Sequence, residues 1–528
     1  MIALSDLVRR GLVPAFLILV AAAGSPADAR QWRFKGIADP VEADFVAENN
    51  GYVVLRGANG KSFEVPLANL SPADQEFIRA LDAKPADAPS ASVPAGSRNT
   101  GGTVQSAESV GGKLLTLDKP VEFHLTSPTD PFGGGSVRFA SPDALLVLEN
   151  VKPSDVIAKY LDRMVVSGAP ARPDANVRIV RHAGGSVILP HGPEFPALTV
   201  FRNPNLGGKS VSINCYEKAG AAEISDIQGT VGSFLLKRGY MATLAENGDG
   251  TGISRNYVAQ DHDVVISPMP KGLDSTVRFI RVFPWRWTAK KGIAGNIHQS
   301  LEVGWFYDWN IGARSSPDLE YVAIKQKRWW PGMNQDWKEK GINHLLGFNE
   351  PDRPDQAKMT VDEAIAGWPE LLGTGLRLGS PATSDGGLDW LYQFMEKADR
   401  QKLRVDFVAV HYYRGVGNPG DGKSAANQMR NYLKGIHDRV KRPIWITEWN
   451  NGANWTKTPE PNESQQKAAI AEMIKMLDET PFVERYALYN WVKDGRMLVR
   501  KDGSLTPAGE VYRDRKSPVF FDQPAYSK

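Results

Sequence analysis

Apolar residues are distributed along the chain in several distinct regimes. From Gln31 to Leu81 they alternate with polar ones in short runs: W-R-F, V-E-A-D-F-V, G-Y-V-V-L-R and F-E-V-P-L, with a G-A-N-G-K turn before the last. Period-two alternation between Asn-Gly signals predicts a small antiparallel barrel, and Ser71 followed by Pro72 and Asp74 predicts a closing helix. Lys84 to Gly112 is rich in Ala, Pro, Ser and Gly with hardly a bulky apolar residue, so it cannot bury enough surface to offset its ordering entropy. A disordered linker is expected over 83–112. Lys113 to Ala197 returns to β-like runs (L-L-T-L, V-E-F-H-L, A-L-L-V-L, V-R-I-V, S-V-I-L) between Gly and Pro turns, which predicts a β-rich accessory domain over 113–197. Thr199 to Ile266 has a two-fold pattern: V-F-R-N-P-N-L-G-G-K-S-V and A-T-L-A-E-N-G-D-G-T-G-I-S each place a strand, an Asn/Asp/Gly turn and a second strand.

From about Lys290 onward, strand-length apolar runs alternate with helical patterns. Strands are expected at Gly292 to Ala294, Val303 to Phe306, Tyr321 to Ile324, His344 to Gly347, Arg377 to Gly379, Phe407 to Val410, Ile444 to Thr447 and Tyr486 to Tyr489. Thr360 with Glu363 and Asn462 with Gln465 read as capping boxes that open helices, and Met429, Tyr432, Leu433 and Ile436 give another helix an inward stripe. Eight strands, each followed by a helix or loop, predict a (β/α)8 TIM barrel over 286–528, with its chemistry at the C-terminal strand ends. At 528 residues the chain is too long for one core. The expected architecture is therefore multidomain: all-β N-terminal modules (30–82, 113–197, 198–285), expected to fold without the barrel, followed by that barrel.

The exit residues of these strands carry the candidate chemistry. Glu350 ends the apolar run L-L-G-F-N-E-P-D, and Glu448 ends P-I-W-I-T-E-W. Two strand-end carboxylates suit glycosidic bond cleavage, in which one carboxyl protonates the leaving oxygen while the other attacks or activates water. Around them the exits carry Trp305, Tyr307, Asp308 and Trp309, then Asn349 and Asp352, then His411, Tyr412 and Tyr413, then Trp449, then Asn490 and Trp491. Such polar and aromatic residues recur strand after strand. With 14 Trp and 15 Tyr in the chain, Trp305, Trp309, Trp449 and Trp491 are expected to stack on sugar faces, and Asn349 to bind a sugar hydroxyl.

Net charge is +3, from 63 basic and 60 acidic side chains, with no dense basic block, so nucleic acid is not an expected partner. Arg9 and Arg10, the apolar stretch Gly11 to Ala23 and the triplet Ala27-Asp28-Ala29 read as a signal peptide over 1–29, with the mature chain starting near Arg30. That predicts an exported protein: secreted, periplasmic or at the cell surface. Cys215 is the only cysteine, which excludes an internal disulfide.

Several of these segments resemble known families. Residues 30–82 resemble the Sla-type homology domain 1, an SH3-like module. The paired hairpins of 198–285 resemble the βγ-crystallin Greek key, with Phe201 to Gly208 as the aromatic-to-Gly spacing of the first hairpin and Gly239-Tyr240 before the second. That family's calcium signature places two Asp or Asn ahead of its Ser/Thr and Ser. Here the segment is Gln228-Gly229-Thr230-Val231-Gly232-Ser233, which lacks both front oxygen donors, so no calcium, other metal or cofactor is expected.

The barrel motifs K-K-G-I-A, V-G-W-F-Y-D-W, L-G-F-N-E-P-D, L-G-S-P-A, F-V-A-V-H-Y-Y and W-I-T-E-W resemble, as an ordered set, the alkali-sensitive-linkage-protein-like catalytic domain, glycoside hydrolase family 128 of clan A. The third strand's exit, K-Q-K-R-W-W, departs from that pattern. The resemblance implies a retaining glycoside hydrolase with Glu350 as acid/base and Glu448 as nucleophile, acting on β-1,3-glucan. Retention requires the two carboxyls ~5–5.5 Å apart, Glu350 protonated and Glu448 ionised, with Tyr413 among the donors holding Glu448. His411 is read equally as a structural donor or a substrate contact. The expected partner is a polysaccharide, with the N-terminal β domains as an attachment to cell wall or polymer. A barrel without activity, serving as a carbohydrate-binding or scaffold protein, and a transglycosylase are the alternatives.

Overall fold

The computed structural model describes residues 30–35, 39–49, 52–57, 62–82, 103–274 and 276–524. The segment 1–29 expected to be a signal peptide and the portion 83–102 of the expected linker lie outside the described residues. Arg30–Trp32, Val41–Asn49, Tyr52–Gly57 and Ser62–Pro66 pair antiparallel in chain order, and helix Pro72–Asp82 follows. Inward residues of the alternating pattern, Trp32, Val53, Leu55 and Val65, meet Leu70 and Ile78 in one core. Asp74 in the helix's first turn ties the unit together, accepting from the Arg33 amide (2.9 Å), the Ser71 hydroxyl (2.8 Å) and Arg30 Nη2 (2.9 Å).

The linker expectation is corrected at its C-terminal end. Thr103–Ala107 is a strand, paired in parallel with Val121–Leu125. Its sequence, T-V-Q-S-A, is almost wholly exposed, so it is held by ladder hydrogen bonds at a sheet edge, a tie that leaves no apolar signature. Beyond it the β-rich segment is built in an unforeseen way. Thr103–Ala107, Val121–Leu125 and Ala144–Leu148 run parallel in one sheet, while Leu114–Leu117, Ser136–Phe139 and Met164–Val166 run parallel in a second. Because the chain alternates between the two sheets, each crossover is supplied by the opposite sheet, with no helix required. Leu117, Val121, Leu125, Phe139, Leu146 and Leu148 fill the space between them.

The next segment forms two four-stranded antiparallel sheets. One is ordered Gly207–Ile213, Leu198–Asn203, Ser233–Leu236, Val264–Ile266; the other is ordered Lys218–Ala219, Phe279–Pro284, Tyr240–Ala245, Ser254–Val258. Both expected hairpins are present, 198–203 with 207–213 and 240–245 with 254–258.

In the C-terminal segment every strand pair is parallel. One sheet is ordered Glu320–Tyr321, Trp305–Tyr307, Lys291–Ala294, Val483–Tyr489, Ile444–Trp449, Val408–Tyr412, and the other Ala323–Ile324, His344–Leu346, Arg377–Leu378. The sheets meet at a parallel bridge between Gly379 and Phe407, and on the other side Val322 alone separates the two strand pieces at 320–324. Strands thus occupy all eight positions expected from the apolar runs. Helices Val361–Leu372 and Glu463–Glu479 open on the expected capping boxes at Thr360/Glu363 and Asn462/Gln465. Beneath the strand exits the interior is closed by Trp305, Phe407 and Trp445 and by a buried ionic cluster in which Glu320 accepts from Arg485 Nη2 (2.8 Å) and pairs with His344 Nδ1 (2.8 Å).

The largest core crosses the expected domain borders. Leu145, Val187, Leu189, Met241, Phe283, Trp285 and Trp287 join Val303, Leu345 and Ile446 in one cluster. Polar ties run alongside: the Thr243 hydroxyl donates to the Gly375 carbonyl (2.8 Å), and Lys152 pairs with Glu302 (2.8 Å). The 113–197 and 198–285 modules each keep a core of their own and set a further apolar face against the C-terminal segment, whereas 30–82 contributes nothing to the shared cluster among the described residues.

Candidate active site

Strand alternation and its interruptions decide which exit residues face inward. On Ile444–Trp449 a register shift between Ile446 and Trp449 breaks the alternation that starts from the inward Trp445, so that Glu448 faces the interior and Trp449 points away. The Glu448 carboxylate takes three hydrogen bonds: Tyr307 Oη (3.0 Å) and Trp309 Nε1 (2.8 Å) donate to Oε1, and Tyr413 Oη donates to Oε2. Burial, and then the Glu448 carboxylate, push the phenols of Tyr307 and Tyr413 well above their ordinary pKa, so both remain protonated donors.

Glu350 lies across from it, after His344–Leu346. Its backbone sits in the left-handed region at φ 42°, held by its amide's bond to the Ala382 carbonyl (2.7 Å) and by the Asn349–Ala382 bridge. Such a conformation in a non-glycine residue costs about 1–3 kcal/mol and persists only where the surroundings fix it. Trp309 is similarly strained at φ 57°.

His411 joins the two carboxylates. It is paired in register with Glu448 on the neighbouring strand, and a β-bulge at Val410/His411 sets its direction. Its Nδ1 lies 2.8 Å from Glu350 Oε1, and its Nε2 lies 3.6 Å from Glu448 Oε1. Burial pulls the imidazole's pKa down, but the Glu448 and Glu350 carboxylates outweigh that, and His411 ends above its ordinary value. Arg353 Nε stands 3.5 Å from Glu350 Oε2 on the solvent side. Asn349 is buried; its Nδ2 donates to Gln356 (3.3 Å), and its Oδ1 has no hydrogen-bond partner among the described residues.

Two of the expected sugar platforms are corrected. Trp449, fully buried, points outward between strand and helix, against Tyr486 and Tyr512, because it follows the inward Glu448. Trp305 faces inward but one layer below the exits. It is fully buried, its Nε1 bonded to the Lys290 carbonyl (3.0 Å) and its ring 5.3 Å from that of Trp445. Tyr307, also fully buried, meets the carboxylate and offers no ring face to a ligand. Trp491, 43% exposed, does stand at the mouth, 6.1 Å from Trp309. Gly295 makes room for it, since a Cβ there would lie 2.2 Å from the Trp491 ring.

Two further residues went unnoticed in the sequence. Trp455, 57% exposed, packs edge-on to Tyr413 (4.9 Å) from the loop after Glu448. Tyr489 lies edge-on to Trp309, Tyr413 and Trp491, and after burial both glutamates raise its pKa, so it faces the pair. Trp455 sits in an irregular loop with no periodic signal. Tyr489 was legible, as the last residue of an inward-alternating strand.

Residues 284–512 match the family described as Glycosyl hydrolase catalytic core, and residues 22–85 match SLA1 homology domain 1. Alkali-sensitive linkage protein 1 of Schizosaccharomyces pombe is 30% identical over 227 residues, 40% of this chain and 40% of that protein, so the chain spans well under half of that relative. An endo-β-1,3-glucanase of glycoside hydrolase family 128, subgroup I, from Amycolatopsis mediterranei is 30% identical, over 43% of this chain and 98% of that one, with a TM-score of 0.38. An oligosaccharide-binding protein of subgroup VII from Trichoderma gamsii is 23% identical, over 43% and 93%, with a TM-score of 0.34. The segment that carries both glutamates is thus the one that matches the Glycosyl hydrolase catalytic core.

Proposed function

We propose that this chain is an exported retaining glycoside hydrolase that cleaves β-1,3-glucan internally, with Glu448 as nucleophile and Glu350 as acid/base. The observation that carries the reading is the joining of both carboxylates through one imidazole, with Glu448 alone receiving three donors. The retaining assignment rests on the resemblance of the L-G-F-N-E-P-D and W-I-T-E-W strand ends to the retaining family. Glu448 attacks the anomeric carbon while Glu350 gives its proton to the departing oxygen. Water, deprotonated by Glu350, then attacks the glycosyl-enzyme bond, and Glu448 leaves as a carboxylate. Tyr307, Trp309 and Tyr413 stabilise that carboxylate whenever it carries charge, and Asn349 Oδ1 is placed to accept from a sugar hydroxyl.

The parallel strands, joined at 379/407 and at 320–324, support reading the segment as a closed (β/α)8 barrel, and the paired antiparallel sheets of 198–284 support a βγ-crystallin-like module. Export rests on the leader-like 1–29, and wall attachment on the β modules. A screen of the purified chain against β-1,3-, mixed-linkage and β-1,4-glucans, with product analysis, tests the reading. Short β-configured β-1,3-oligosaccharides are expected. Binding without new reducing ends would put the chain with the binding proteins, and elongated products would make it a transglycosylase.

A further inference from the structure

A polar cleft of about 620 Å³ opens at the seam between the two-sheet module and the C-terminal segment. It shares no residue with the glutamate site, and its volume lies in the range of small-molecule sites. Tyr216 and Arg281 form one wall; Asn334, Gln335 and Lys338, together with the end of helix Val361–Leu372, form the other.

The charges in this cleft do not balance locally. The two acids of the lining are already engaged: Glu370 pairs with Lys325 (3.0 Å) and Arg328 (3.4 Å), and Asp336 caps the helix Trp337–Lys340 by accepting from the Glu339 amide (2.8 Å). Arg281 has no such partner. Its guanidinium lies over the Phe283 ring at 5.1 Å, its buried Nε makes no hydrogen bond, and among the described residues no carboxylate is within ion-pair distance. Burial pushes its pKa down, with no carboxylate among the described residues to offset it. Lys338 is likewise without an ion pair among the described residues.

Tyr216 holds a left-handed backbone at φ 68°, a strained choice for an aromatic residue, and its hydroxyl bonds nothing among the described residues. A planar fork with unused donors suits a carboxylate. Two cations without an ion pair among the described residues suit an anionic ligand.

We propose that this cleft binds a carboxylate-bearing saccharide, a uronic acid or short oligouronate, with Arg281 gripping the carboxylate and Tyr216 and Asn334 meeting the ring and its hydroxyls. The choice of a saccharide rests on the glycan-directed reading above, whereas the carboxylate rests on Arg281. Calorimetric titration of the full chain with trigalacturonate tests it, with neutral laminaritriose and inorganic phosphate as separate arms. Saturable trigalacturonate binding is expected, weakened by about tenfold or more in Arg281→Ala and Arg281→Lys and by a smaller factor in the exposed Lys338→Ala, with β-1,3-glucan hydrolysis unchanged in all three. Lysine keeps the charge and the fold but lacks the fork, so a well-folded R281K with full affinity would overturn the proposal. So would absent binding in the parent chain, or phosphate displacing the uronate at comparable concentration. Uronate binding without any glucan hydrolysis would leave this site standing and remove the hydrolase reading.

Discussion

Removing the Tyr413 hydroxyl should slow the two halves of the proposed reaction unequally. Among the described residues Tyr413 is the only donor to Glu448 Oε2, whereas Oε1 has both Tyr307 and Trp309. Tyr413→Phe therefore leaves one buried carboxylate oxygen without a partner, while Tyr307→Phe leaves Trp309 in place. Hydrogen bonds to charged groups contribute about 1.5–3 kcal/mol. In the second half-reaction Glu448 departs as a carboxylate, and the donor is needed most as that charge develops. Taking about 2 kcal/mol for the lost bond, breakdown of the intermediate should slow roughly 30-fold. Formation, in which the same donor must be partly released, should slow much less. With an activated aryl β-glycoside of a β-1,3-gluco-oligosaccharide, kcat should fall by that factor, KM should fall with it, and a stopped-flow burst of phenolate should precede the steady state. Tyr307→Phe should cost about 1 kcal/mol, roughly fivefold. A folded Tyr413→Phe enzyme with unchanged kcat, or with a raised KM and no burst, would refute the reasoning about the carboxylate's charge.

The two glutamates should fail differently. Glu448→Ala should lose activity on every substrate, whereas Glu350→Ala should retain the first step on aryl glycosides, with azide giving a β-glycosyl azide from Glu350→Ala and an α product from Glu448→Ala. Equal defects with no azide rescue in folded protein would undo the assignment. Trp455→Ala should raise KM for the polymer roughly fivefold, from about 1 kcal/mol of ring contact, with its melting temperature little changed. Trp305→Ala should instead destabilise the fold by about 3–5 kcal/mol, read in denaturant titration. In the accessory domain His124 lies between Glu122 (2.7 Å) and Glu149; burial opposes its protonation, but the two carboxylates prevail and raise its pKa to about 9. A raised pKa stabilises the folded chain fully below the unfolded value of ~6.5, and that stability is lost as pH climbs through about 9. The melting-temperature gap between the parent chain and His124→Gln should thus be widest near pH 6 and vanish above pH 9; a gap independent of pH would contradict it.

Period and punctuation account for what the sequence disclosed. Apolar runs ending on Glu350 and Glu448 located both strand exits, and the capping boxes located two helix starts, because each depends on neighbours a few residues apart. The tryptophans show where that reasoning stops. Trp449 adjoins Glu448, and alternation from the inward Trp445 would have turned it inward, but a register shift between Ile446 and Trp449, which no periodic signal marks, turns it out. Trp305 obeys the inward pattern, but only the depth of the layers places it beneath the site, and depth is set by register between strands far apart in the chain. The parallel pairing of 103–107, 121–125 and 144–148 was equally hidden, since short alternating runs read alike in hairpins and in coils that wind between two sheets. Trp455 lies in a loop whose course depends on tertiary contact alone.

The shared core connects the accessory modules to the chemistry. Glu350 and Trp309 hold left-handed backbones that relaxation would erase, and what fixes them is the rigidity of strands and loops packed around them. Those strands do not end their packing at their own segment. Val303, beside the Trp305–Tyr307 strand, and Leu345, five residues before Glu350, lie in the same cluster as Leu145, Val187 and Met241 from the β modules. Trp285 and Trp287 sit at the crossing point, where Trp287 Nε1 donates to the Gln260 carbonyl (3.1 Å) and Trp285 packs edge-on to His344 at the foot of the Glu350 strand (5.8 Å). Stripping the β modules would expose that apolar face and leave His344 with one packing neighbour fewer beneath a strained residue. The 113–197 and 198–285 modules are therefore part of what holds Glu350 in place.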